Sequence, residues 1–212
     1  MILYGSSISP FVRKTVAFAA EKGVEMKVKG ITLGSEDPDF RSASPFGKMP
    51  ALRDGDFVLS DSSAIVAYLD ALKPDPALIP SEPRARGRTI WWDEFADTIF
   101  MATGIKIFFN RVVSPRFLGK PGDDAVADRA VAEELPPLLD YIEKSIPPSG
   151  WLVEDRLTLA DISVATGFAN LRYAGCRLEA STHPSLTRYI DKIFARPSFA
   201  RSLEREAKIF AA

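Results

Sequence analysis

The stretch Pro45-Phe46-Gly47-Lys48-Met49-Pro50-Ala51-Leu52, then Asp54-Gly55-Asp56, then Ser60-Asp61-Ser62-Ser63-Ala64-Ile65-Val66-Ala67-Tyr68-Leu69, decides how this chain is read. Pro50 opens the apolar pair Ala51-Leu52, and a residue without an N–H fits only the first position of a strand or its edge. Met49–Pro50 is also a candidate cis bond, because only X–Pro linkages take that form at a cost of about 1 kcal/mol or less. A cis bond there turns the Met49 N–H and C=O outward, where an extended peptide can pair with them as an added strand. Asp54-Gly55-Asp56, between Leu52 and Phe57, is a hairpin turn signal. Ala64, Ile65, Tyr68 and Leu69 recur at helical spacing behind Ser60, Asp61 and Ser62. The free N–H groups and positive dipole end of such a helix attract a carboxylate. Each piece alone is first a folding device, an ordinary hairpin or an ordinary capped helix. Their order describes a pocket for a small extended peptide that carries carboxylates.

Working outward, residues 1–5 read as a strand, 6–10 as a loop and 11–22 as a helix stopped by Gly23, with Val12, Val16, Ala19 and Ala20 on one side. A second strand follows at 25–28, then a polar loop over 34–45. The strands at 51–52 and 57–59 and the helix at 61–71 complete a βαβ–ββα order, so residues 1–75 form an α/β unit. Residues 76–83 read as a Pro-rich linker. Beyond it no strand pattern remains, and residues 84–212 read as an all-α domain. Its helical stretches are 84–112, 123–145 and 159–173, with further ones after Pro184 and Pro197. Pro136-Pro137 is expected to kink or break the second of these.

The chain has 212 residues, 46% hydrophobic and 26% charged, with a formal charge of −1. That permits a sizeable core and, with no basic block, disfavours nucleic acid as the main partner. The opening Met1-Ile2-Leu3-Tyr4 has no basic region of a leader type, and no apolar run reaches bilayer length, so no membrane association is expected. Cys176 is the only cysteine and His183 the only histidine. An internal disulfide is ruled out, a cytoplasmic setting is expected, and no metal site of the usual ligand types can be assembled. Cys176 reads as a spectator thiol. Thr158 and Asp161 precede an apolar run as a capping pair, a folding element without chemistry.

With these pieces in order, the chain resembles the cytosolic glutathione transferases over essentially its full length. The resemblance rests on residues 45–52, the Asp61-Ser62 helix start, the linker, Leu157-Thr158-Leu159-Ala160-Asp161-Ile162, and the ending from His183-Pro184 to Pro197-Ser198-Phe199. Ser9-Pro10-Phe11-Val12-Arg13-Lys14 looks most like bacterial serine-type members. The resemblance implies a thioredoxin-like N-terminal domain, an all-helical C-terminal domain, a homodimer, a detoxifying transferase, and glutathione as co-substrate with no metal. It further implies that Met49 pairs with the cysteinyl backbone beside cis-Pro50, that Asp61 and Ser62 hold the γ-glutamyl end, and that Lys48 lies near the glycyl carboxylate or the tripeptide backbone. The loop before Pro45 offers only Arg41 as a further basic contact.

Ser9 precedes Pro10, so its hydroxyl would sit at a helix cap beside free N–H groups. There it could stabilise a glutathione thiolate, or merely cap; Ser7 and Ser6 are its rivals. A serine cannot form a mixed disulfide, which disfavours thioltransferase chemistry. Ile8 and Phe11, with Thr103, Ile107, Phe108 and Arg111, could line an apolar pocket for a second substrate, although the latter spacing equally suits packed core. The functional expectation is conjugation of glutathione to hydrophobic electrophiles, with peroxidase or isomerase activity not separable from it. The alternative is a non-catalytic scaffold of the same fold that binds a macromolecular partner.

Overall fold

The computed structural model describes residues 1–211. Strands β1 (Ile2–Tyr4), β2 (Lys27–Lys29), β3 (Ala51–Asp54) and β4 (Phe57–Ser60) form one sheet in the order β2-β1-β3-β4. β1 runs parallel to β2 and antiparallel to β3, and β3 antiparallel to β4. The parallel pair needs a crossover, which α1 (Pro10–Glu21) supplies. The antiparallel pair β3–β4 needs only the Asp54-Gly55-Asp56 turn, where Gly55 takes a φ of 62°. α3 (Ser62–Leu72) then closes the unit and packs against α1. This is the mixed sheet of a thioredoxin-like domain.

Strand alternation explains the two layers. Successive side chains of a strand face opposite sides. Tyr4 and Ala51 join Ile31, Phe40 and Ala43 in one buried cluster, with Ile2, Met49 and Val58 against it. Leu3 and Leu52, the alternate positions, are fully buried, as are Phe18 of α1 and Ile65 and Leu69 of α3. Phe40 comes from a helix where a polar loop was expected: α2 (Pro38–Ala43) lies inside residues 34–45. Asp37 caps it by accepting from the Phe40 N–H at 3.0 Å, and Pro38 occupies its first turn. The Asp-Pro pair was therefore a helix start, masked by the short, polar sequence after it.

The chain divides into two compact units, Met1–Ser81 with the segment from Arg196 onward, and Glu82–Ala195. The last helix, α11 (Pro197–Ala211), thus belongs with the sheet, whereas the linker reading had placed residues 84–212 together. It packs along α1. The second unit holds α4 (Pro83–Glu94), α5 (Met101–Phe108), α6 (Ser114–Phe117), α7 (Asp124–Arg129), α8 (Leu135–Ser145), α9 (Leu159–Tyr173) and α10 (Pro184–Phe194). Wider π turns at Phe95–Phe100 and Phe109–Val113 join α4, α5 and α6 into one rod. Pro136-Pro137 does not break the second stretch: π turns at Ala130–Glu134 re-register the ladder just before the prolines, and the helix continues to Ser145.

α9 is buried along almost its whole length and sets the core of the second unit. Its capping box is formed as expected. Asp161 accepts from the Thr158 N–H at 2.8 Å and also from the Leu152 N–H at 3.0 Å and the Tyr189 hydroxyl at 3.1 Å. Burial pushes the Asp161 carboxyl up, and these donors oppose that rise. Among the described residues no helix is long and apolar enough to cross a membrane.

Candidate glutathione site

The sheet register assembles the site. Tyr4 pairs with Ala51, and Ala51 pairs with Ser60. The chain that follows Tyr4, the chain that precedes Ala51 and the chain that follows Ser60 therefore leave the sheet at the same end. These are the loop of Ser6, Ser7, Ile8 and Ser9, the segment Lys48-Met49-Pro50, and the helix start Asp61-Ser62-Ser63. The Ser6 N–H reaches the Met49 sulfur at 3.3 Å, which ties the first loop to the second. Gly5 permits this entry: a Cβ on it would meet a Val12 methyl at 2.4 Å, so only glycine lets α1 start so close to β1.

Ser9 is the N-cap of α1, with φ −72° and ψ 127°, and Pro10 follows in the first turn. Its hydroxyl oxygen accepts from the Val12 N–H at 3.4 Å. The contact uses a lone pair and leaves the hydroxyl hydrogen to donate elsewhere. Ser9, Ile8 and Phe11 are all half-buried. Ser7 instead lines a small cavity with Val12, Arg13, Val16, Val28, Ser202 and Arg205.

The second segment is pinned from below. The Ser44 hydroxyl accepts from the Lys48 N–H at 3.0 Å and donates to the Lys48 carbonyl at 2.7 Å, closing the loop that leads into Met49. The Met49–Pro50 bond is cis, as is Asp75–Pro76. The Lys48 side chain is exposed. Arg41 pairs with Glu36 at 2.5 Å, and its guanidinium lies so close under Gly47 that a Cβ there would sit 2.4 Å from Nη1.

The third segment is strained. Asp61 has φ 83° and ψ 131°, a conformation costly for a residue with a side chain. Its Oδ1 accepts from the Ser63 N–H at 2.9 Å and the Ala64 N–H at 3.0 Å. The carboxylate thus caps α3 while the residue itself stays exposed, and Ser62 beside it is buried. Strain of this kind persists where surrounding structure dictates it, and it gathers at ligand clamps.

A contact with little warning in the sequence joins this helix start to α1. Lys14, fully buried, donates from Nζ to the Ser63 hydroxyl at 3.0 Å. Nothing in an apolar-patterned helix marks one lysine as buried; the only hint was the charged pair Arg13-Lys14 between Val12 and Val16.

The other candidates lie in the second unit. Ile107 and Phe108 are buried, and Thr103 donates to Glu134 at 3.2 Å. Arg111 binds Asp128 at 2.7 Å and the Ala174 carbonyl at 3.2 Å, and stands 3.5 Å from the Cys176 sulfur. Burial pushes the Cys176 thiol up against the opposing pull of Arg111, so it is protonated at neutral pH.

A thioredoxin-like domain followed by an all-helical unit defines a class, and the chain matches known members of it. The glutathione S-transferase N-terminal domain model matches residues 3–77, and the C-terminal domain model residues 114–206. Glutathione S-transferase 3 of Zea mays is 30% identical over 210 residues, covering 95% of this chain and 92% of the relative. A glutathione S-transferase structure from Rhodospirillum rubrum F11 superposes with a TM-score of 0.85 at 26% identity, covering 93% of this chain and 89% of that one. Another, from Methylobacterium radiotolerans in complex with glutathione sulfonate, gives 0.78 at 27% identity, covering 95% and 93%. The chain belongs to the glutathione S-transferase family of enzymes.

Proposed function

We propose that this chain conjugates the thiolate of glutathione to hydrophobic electrophiles, with the Ser9 hydroxyl donating to the sulfur. The observation that carries the reading is the placement of Ser9 at the start of α1, on the same end of the sheet as Met49 and Asp61. A free thiol with a pKa of about 8.5 is only a few per cent ionised at neutral pH. Lowering that value by about two units takes about 2.7 kcal/mol. One charge-assisted hydrogen bond of about 1.5–3 kcal/mol, beside the positive end of a helix, supplies most of it. Capping and catalysis do not compete here, because Ser9 caps with a lone pair and would donate with its hydrogen.

In this reading the Met49 backbone pairs with the cysteinyl residue beside Pro50, and Asp61 and Ser62 take the amine and carboxylate of the γ-glutamyl end. Lys48, which is exposed, faces the glycyl end. Ile8 and Phe11 flank Ser9 and offer the electrophile apolar contact. No base is needed to carry the proton away, since stabilising the anion is enough to release it to solvent. The thiolate sulfur then forms the new bond to the electrophilic atom; in a substitution the leaving group departs with its bonding pair, and in an addition that pair moves onto the electrophile and takes a proton from solvent. A cytoplasmic homodimer is the setting that fits the family and the single cysteine.

Titration calorimetry with glutathione and with S-methylglutathione tests the reading. We expect both to bind, the thiol form alone releasing a proton near neutral pH. Heat from neither would return the chain to the scaffold reading. Loss of activity in Ser7→Ala or Ser6→Ala, with Ser9→Ala unaffected, would move the hydroxyl role to that serine.

A further inference from the structure

We infer that Lys14 is a positioning residue of the γ-glutamyl carboxylate site, acting through Ser63; this rests on the glutathione reading above. Lys14 sits on α1, the helix that Ser9 caps, and its side chain has no exposed surface. Its ammonium ends on the Ser63 hydroxyl, 3.0 Å away, in the first turn of α3. Ser63 is thereby held from two sides, since its own N–H donates to Asp61 Oδ1 at 2.9 Å.

The direction of the bond has a consequence. A lysine ammonium can only donate, so the Ser63 oxygen accepts and its hydroxyl hydrogen must point away from Lys14. Ser63 is presented as a donor, at a helix start whose dipole already favours an anion. The charge of the fully buried lysine adds to that field with the same sign. Lys14, the Ser63 hydroxyl and the start of α3 therefore favour a carboxylate, while Asp61 is placed for an amine. An α-amino acid end, with both groups on one carbon, is the ligand that this pattern matches. α1 then serves both ends of the same substrate, with Ser9 at the sulfur and Lys14 behind the γ-glutamyl carboxylate.

A purely structural tie between α1 and α3 would use the same bond, so the test must read charge. The affinities of wild type, Lys14→Met and Ser63→Ala are measured for glutathione and for γ-aminobutyryl-cysteinyl-glycine, which lacks only the γ-glutamyl α-carboxylate. We expect Lys14→Met to weaken glutathione about 10- to 100-fold, the size of one charge-assisted hydrogen bond, and to leave the decarboxylated analogue within about twofold. In a Ser63→Ala background the added effect of Lys14→Met should shrink, since the two act as one unit. Equal loss for both ligands would overturn the inference and make Lys14 a structural tie. Should Lys14→Met not fold, Ser63→Ala decides alone: no selective loss on glutathione overturns it. Absence of glutathione binding by the wild type is a separate result, which sinks the functional reading and this inference with it.

Discussion

At the residue scale, two side chains carry the argument by what their atoms can and cannot do. Ser9→Ala removes the hydroxyl hydrogen but not the proposed contacts of Met49 and Asp61 with glutathione. Turnover is expected to fall about 10- to 100-fold, the thiol pKa of bound glutathione to rise by about one to two units, and affinity to hold. Ultraviolet absorbance of the bound thiolate against pH reads this directly. Asp61 tests the strained position: Asn tolerates positive φ and can still cap α3, whereas it loses the charge for an amine. Asp61→Asn should therefore keep the melting temperature within a few degrees and weaken glutathione, seen by calorimetry beside a thermal melt. A melt shifted as far as the affinity would mean the charge supports the fold instead. Gly5→Ala is the opposite case. A methyl 2.4 Å from a Val12 methyl must push α1 away from β1, and a loss of about 1–3 kcal/mol in urea unfolding is expected.

At the element scale, α1 is held at both ends by α11. Arg13 meets Glu206 through Nε at 3.0 Å and Nη2 at 2.7 Å, with both side chains fully buried. Glu21 receives the Arg196 guanidinium at 2.8 and 2.7 Å and the Ser198 hydroxyl at 2.5 Å. Removing one member of a buried pair leaves the other's charge poorly compensated, so Glu206→Ala should cost about 3–5 kcal/mol by urea unfolding. Replacing both by apolar residues, as in Arg13→Met with Glu206→Leu, should recover most of that stability, because neither charge of the pair is then left buried. Glu21 supplies a pH dependence. Burial pushes its carboxyl up, but the Arg196 and Ser198 contacts outweigh that and hold it below the ordinary 4.5. A depressed folded value means the stabilisation is present above the unfolded pKa and lost as pH falls through the folded one. Urea midpoints should therefore drop as the pH falls below about 4.5, and Glu21→Gln should flatten that part of the curve.

At the scale of the whole molecule, the end of the chain folds with its beginning. α11 belongs to the unit that contains the sheet, so truncation before Arg196 should destabilise that unit and not merely shorten the helical one. Limited proteolysis of the truncated chain, followed by mass spectrometry, should show early cuts within residues 1–81. Early cuts confined to 82–195 would contradict this. The proposed homodimer belongs to this scale too. Phe46 stands 88% exposed at a loop tip, and Trp91, Ile99, Ile105 and Phe109 are exposed on the second unit. Sedimentation at micromolar concentration should give a species of about twice the 23.3 kDa chain mass.

What the sequence alone determined is what neighbours in the chain decide. The hairpin at Asp54-Gly55-Asp56, the caps at Ser9, Asp61 and Thr158, the proline heading β3 and the periodicity of the long helices each depend on residues a few positions apart. They sufficed for the βαβ–ββα order, the helical remainder and the family resemblance. α2 was legible only as an Asp-Pro pair, because six residues carry too little periodicity to read. The π turns that carry the helix past Pro136-Pro137 had no sequence signature at all. Tertiary structure alone decided that Lys14 is buried against Ser63, 49 positions away, and that Arg13 finds Glu206, 193 positions away. A charged side chain in a helix reads as solvated until its partner is known. Burial of an ion is set by what packs over it, and that comes from elsewhere in the chain.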